Sequence, residues 1–212
     1  MPALAIVSYS ELVTFSERSE KLGFRRDTSE DAPTCRWLSE GSKLDVMPLE
    51  ESLLGFSNRW YREAMTEAAK FELPSGHSIR VITAPYFVAT KLEAFHGRGK
   101  NDFCSSHDIE DVITVMDGRQ NLSREIEGSA TEVRAYIGKE CQELLASSRF
   151  HDGLPGYVLP DEISQGRIKE LLSLSPGTAR ATRIIRLGSF GANCSPCDRV
   201  RIGFRFAFAR RL

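Results

Sequence analysis

Residues 34–48, TCRWLSEGSKLDVMP, decide the reading of the fold. Cys35 and Trp37 alternate with polar neighbours, Leu44 and Val46 do so around Asp45, and Gly41-Ser42 stands between the two runs. A period of two places alternate side chains on one face of a strand and glycine supplies a turn, so two strands joined at Gly41-Ser42 are expected. Pro48 has no amide hydrogen to give a ladder and is expected to stop the second strand. Asp45 then points away from the face that Leu44 and Val46 share.

Upstream, ALAIV (3–7) reads as a strand, and Ser10 is expected to open an amphipathic helix that buries Leu12, Phe15, Leu22 and Phe24 and ends near Gly23. Downstream, Ser57 is expected to cap a helix running through Trp60, Ala64, Ala68 and Phe71, followed by a turn at Pro74-Ser75-Gly76 and a strand over Ser78 to Thr83. Pro85 suits the first turn of a helix, predicted over Tyr86 to His96 with Phe87, Lys91 and Phe95 four apart. Ser105 with Asp108 resembles a capping box, and Ile109, Val112, Ile113 and Met116 follow at helical spacing before Gly118. Val133, Ile137, Cys141, Leu144 and Leu145 predict a long helix over Ala130 to Ser147, and a short one is expected over Asp161 to Ser173. Past Pro176, Val200, Ile202, Phe204, Phe206 and Phe208 alternate as a strand would. Strands lead and helices follow, which predicts the α+β class of α/β proteins: a small mixed sheet and a helical C-terminal half.

The chain of 212 residues, 41% hydrophobic and 27% charged, suits one ordinary globular domain with an appendage. No apolar run approaches the ~18 residues of a membrane span, and MPALAIVSYSEL lacks the marks of a signal peptide, so a cytoplasmic protein is expected. Five scattered cysteines read as reduced thiols; only Cys194 and Cys197 are paired by spacing, as half of a zinc-ribbon signature. A glycine-rich phosphate loop, a Gly-x-Ser-x-Gly elbow and a His-Glu-x-x-His motif are all missing, which leaves hydrolase classes without support. The net charge of -1 hides an asymmetry: residues 177–212 hold eight arginines and one acid, Asp198. Such a basic tail suits either nucleic-acid contact or a solvated extension.

Four ordered blocks carry a family resemblance: LDVMP (44–48), LGFSNRWY (54–61), APYFVATKLEAFHGRG (84–99) and HDIEDVITVMDGR (107–119). Together they resemble the AbiEii-type nucleotidyltransferases, toxins of bacterial abortive-infection systems, over roughly residues 6–173. The resemblance implies a partial polymerase-beta-like nucleotidyltransferase core over 1–83, a helical region over 84–176 and the basic tail over 177–212. It implies transfer from a nucleoside triphosphate to RNA, with tRNA as acceptor, in a toxin–antitoxin or phage-defence setting with an antitoxin as possible partner. Two Mg²⁺ ions would be the cofactor, because a hard cation pair bridged by carboxylates stabilises the attacking and leaving oxygens together.

In that family two of the carboxylates form an Asp-x-Asp pair on one strand and a third stands on a neighbour. The resemblance makes Asp45 the third, a metal ligand; read from the residues alone, it is a solvated strand acid. The strand that would bear the pair leads into the segment matching SYSELVTFSERSEKLGF and is here MPALAIV, with no acid before Glu11, and the family's upstream helix and phosphate-binding turn have no counterpart. The chain is therefore expected to be catalytically impaired, and either a degenerate transferase or a non-catalytic nucleotide-, RNA- or antitoxin-binding protein. Lys91 would meet the triphosphate, or else snorkel from a partly buried helix. Asp108 would position nucleotide or acceptor, or else stabilise a helix N-terminus. Asp111 shares its face, while His107 departs from the basic residue common at that position. Arg98 and Lys100 would contact phosphate, or else belong to a solvated turn. An exposed sheet edge is expected to favour a homodimer unless the stretch from Val200 to Phe208 fills it.

Overall fold

The computed structural model describes residues 3–30, 32–50, 58–98, 102–162, 164–166, 168 and 207–208. The predicted cap Ser57, Lys100, the pair Cys194 and Cys197, and Val200 to Phe206 lie outside the described residues. The chain is a mixed α and β protein that divides into two compact units, Met1–Thr83 with Arg199–Leu212, and Ala84–Asp198.

In the first unit, β1 (Ala3–Val7), α1 (Tyr9–Lys21), β2 (Arg25–Arg26), β3 (Arg36–Ser39) and β4 (Ser42–Pro48) build a sheet of order β1-β4-β3-β2. β1 runs parallel to β4, with Leu4 in register with Asp45, and the other pairings are antiparallel. Ser8, not Ser10, caps α1: its side chain accepts from the Glu11 amide, and the Glu11 carboxylate accepts from the Ser8 amide at 2.9 Å. This reciprocal box needs an acid three residues after the cap, which Ser8 has and Ser10 lacks. α1 covers the face holding Val7, Trp37 and Val46, with Leu12, Phe15, Phe24 and Leu44 packed against them. Phe15 meets Trp37 edge-on at 5.5 Å, a favoured aromatic arrangement. Leu22, expected inside, lies past the last helical residue and is 54% exposed.

The β3–β4 turn falls at Glu40-Gly41, one residue before the expected place. Both residues have positive φ, 24° and 81°, as a two-residue turn matching strand twist requires, and glycine takes the larger angle without penalty. Ser39 therefore pairs with Ser42 and Arg36 with Asp45.

The helix expected through Phe71 is shorter. α2 (Tyr61–Thr66) stops, and Ala69–Glu72 forms β5, antiparallel to β6 (Ser78–Val81). Arg80 on β6 explains the stop: its guanidinium donates to the carbonyls of Thr66 and Ala68 at 3.0 and 3.1 Å, giving the end of α2 partners that are not helical. The hairpin closes at the expected Pro74-Ser75-Gly76, with Gly76 at φ 81°. β7 (Ala207–Phe208) pairs with the other side of β6.

The second unit is helical: α3 (Ala84–Arg98), α4 (His107–Gly118), α5 (Leu122–Glu127), α6 (Thr131–Ala146), α7 (Ser148–Gly153) and a 3-10 turn over Leu154–Tyr157. α3 packs against α4, α5 and α6, and Val88, Leu92, Phe95, Ile109, Val112, Val133 and Ile137 are all buried. The cap of α4 is Ser106, one residue past the expected Ser105; the Ser105 hydroxyl instead donates to Asp102. Of the described residues, no helix is long and apolar enough to cross a membrane.

Gly153 ends α7 against the loop before α4. A Cβ there would stand 2.3 Å from the Phe103 carbonyl oxygen, a backbone atom that cannot swing aside. Gly153→Ala is expected to cost about 1–3 kcal/mol through overpacking, read as a lower urea midpoint with unchanged slope.

Candidate functional site

Asp45 lies near the middle of β4, on the side of the sheet away from Trp37 and Val46. Across the ladder stands Arg36, which sequence reasoning passed over. Its Nε donates to Asp45 Oδ1 at 2.8 Å and its Nη2 donates to Oδ2 at 2.9 Å. The side chains are 20% and 15% exposed, so the pair is largely withdrawn from water. A planar guanidinium matches both carboxylate oxygens at once, which makes the contact stronger and more directional than a lysine pair. The hydrogen bonds that Arg36 donates to Asp45 raise the Arg36 pKa further above its already high ordinary value. On the other flank of β4 the register position is Leu4, and β1 contains no acid. Among the described residues no three His, Cys, Asp or Glu side chains gather as a group able to hold a metal ion.

The second unit brings three of the predicted residues together. Lys91 projects from α3, and Asp108 and Asp111, three apart on α4, share the face it meets. Lys91 Nζ lies 3.1 Å from Asp108 Oδ1 and 2.7 Å from Asp111 Oδ2. Their side chains are 14%, 6% and 3% exposed, respectively. The lysine does not snorkel to solvent; it carries its charge inward to two carboxylates. Asp108 also occupies the first turn of α4, where the helix dipole favours an anion. Arg98 is the last residue of α3.

The start of α4 is held from several sides. The Asp102 carboxylate accepts from the Ser105 hydroxyl and from the amides of Cys104 and Ser105, and these bonds hold its pKa below the usual carboxylate range. The Ser106 amide donates to the Tyr157 hydroxyl at 3.0 Å, and burial pushes the Tyr157 pKa up. His96, which has no partner at metal-ligand spacing in the sequence, meets Glu140 of α6 across the helix pair. Glu140 is 5% exposed and stands on the stripe of Val133, Ile137, Cys141 and Leu144. An acid on an apolar stripe is the signal that could have announced this pair. Burial, with the Glu140 charge, pushes the Cys141 thiol up to about 12, which removes it as a nucleophile near neutral pH.

Neither protein-family models, nor curated proteins, nor solved structures gave a match to this chain.

The buried triad yields a stability prediction. Removing one partner of a buried ion pair costs about 3–5 kcal/mol, against ~0–1 kcal/mol for an exposed one. Lys91→Met is expected to fall in the upper range, because it leaves two carboxylates facing each other. The triple variant with Asp108→Asn and Asp111→Asn is expected to recover most of the loss. Urea denaturation of the single and triple variants checks both.

Proposed function

We propose that the protein is a nucleotidyltransferase-family protein of the AbiEii type, with a partial polymerase-beta-like core, that binds nucleotide or RNA and does not transfer nucleotides as this chain. The observation that carries the non-catalytic half is the engagement of Asp45, both of whose oxygens accept from Arg36. Two-cation chemistry needs clustered carboxylates with free lone pairs. A guanidinium already neutralises Asp45, and β1 offers Leu4 where a second acid would have to stand. These residues do not fit a Mg²⁺ pair.

The binding half is supported by the meeting of Lys91, Asp108 and Asp111, which come from two of the four resembling blocks. With Lys91 held by two carboxylates, phosphate contact falls to Arg98 and Lys100, next along the chain. Asp108 and Asp111 then fix α4 against α3 through Lys91. The arginines of residues 177–212 add attraction for an RNA backbone, and tRNA is the acceptor class the resemblance implies.

Two measurements test the proposal. Incubation with each labelled nucleoside triphosphate, Mg²⁺ and total tRNA is expected to leave the RNA unlabelled; label above the protein-free control would overturn the non-catalytic half. Filter binding of tRNA at two salt concentrations is expected to show affinity that falls steeply with salt, and less steeply for a chain ending at Pro176. Absence of any tRNA or nucleotide binding at low salt would remove the binding half.

A further inference from the structure

β5 stands at the end of the order β5-β6-β7, and all four of its residues are exposed. The hairpin determines which backbone groups face outward. The Leu73 amide donates to the His77 carbonyl at 2.8 Å, so these two form a hydrogen-bonded pair, and such pairs alternate along an antiparallel ladder. With Phe71 in register with Ile79 and Ala69 with Val81, Ala69 and Phe71 turn their amides and carbonyls toward β6. Those of Lys70 and Glu72 point away from the sheet. Among the described residues no strand pairs with that side.

An open edge can accept another strand, and its side chains select which. Lys70 and Glu72 project from one face, 3.4 Å apart at their charged ends and 68% and 73% exposed. A lone lysine on an edge repels a second copy, but here each lysine comes with an acid two residues on. A second β5 laid antiparallel about a two-fold axis at Phe71 sets Lys70 opposite Glu72 of the second copy, and Glu72 opposite its Lys70. In that register both are pairs whose backbone groups face each other, so each exchanges its hydrogen bonds and also matches its charges. The two neighbouring registers that keep the hydrogen bonds in phase set Lys70 against Lys70 or Glu72 against Glu72. Charge therefore selects one register.

We propose that the outer edge of β5 is an isologous dimerisation surface whose occupant is β5 of a second copy of this chain. Sedimentation equilibrium of the full chain is expected to show a reversible monomer–dimer system that weakens with added salt. Lys70→Glu and Glu72→Lys each set like charges opposite one another and are expected to raise the dissociation constant about tenfold or more. The double swap is expected to restore it. Mixing the two single variants is expected to give a heterodimer, because one presents two acids and the other two lysines. Both positions are exposed, so thermal midpoints at high dilution serve as the folding control. A monomer at every concentration, single variants that associate as the native chain does, or a double swap as weak as the singles would overturn the proposal.

Discussion

The register between β3 and β4 is the constraint on which the sheet unit depends. A two-residue turn at Glu40-Gly41 couples every later position of β4 to one position of β3, and a slip of one residue would reverse which side chains face α1. In the observed register Trp37 lies beside Leu44, under Phe15, and Arg36 lies beside Asp45 on the opposite face. Apolar packing and the ion pair therefore agree on a single alignment. Either alone would leave alternatives; the aromatic core excludes odd slips, and the bidentate contact excludes even ones.

The helical unit solves a different problem. Charged groups in its interior meet partners on a second helix: Lys91 of α3 meets Asp108 and Asp111 of α4, and Glu140 of α6 meets His96 of α3. These contacts are directional where leucine and valine packing is not, so they fix how α3 lies on its neighbours. The Tyr157 hydroxyl and the Gly153 approach then hold the start of α4, which keeps Asp108 in the first turn facing Lys91.

Much of this was legible in the sequence where the signal is local. Alternation around Trp37 and Val46, the spacing of Ile109, Val112 and Ile113, and the stripe from Val133 to Leu144 each give the observed element, because the 2.0 and 3.6 periods report burial directly. The failures have tertiary causes. Ala68 and Phe71 continue a helical pattern, yet Arg80, further along the chain, caps the helix end and the hairpin claims the segment as strand. The site was legible in its members and not in its pairings. Lys91, Asp108 and Asp111 were each singled out, but their meeting depends on how two helices cross. Arg36 was hidden by a single residue: a turn at Gly41-Ser42 would set Asp45 against Leu38, and only Glu40-Gly41 sets it against Arg36.

That one-residue difference bears on what Asp45 can do. A carboxylate on a partly covered sheet face needs a cation, either a bound ion or a side chain. Here it is covalently attached, directly across the ladder, and it takes both oxygens in the geometry a guanidinium prefers. A divalent ion would have to displace Arg36 and leave that cation, 20% exposed, beside the incoming charge. With Leu4 rather than an acid on the flanking strand, nothing on β1 offsets that repulsion. Asp45 thus anchors a strand pairing through Arg36.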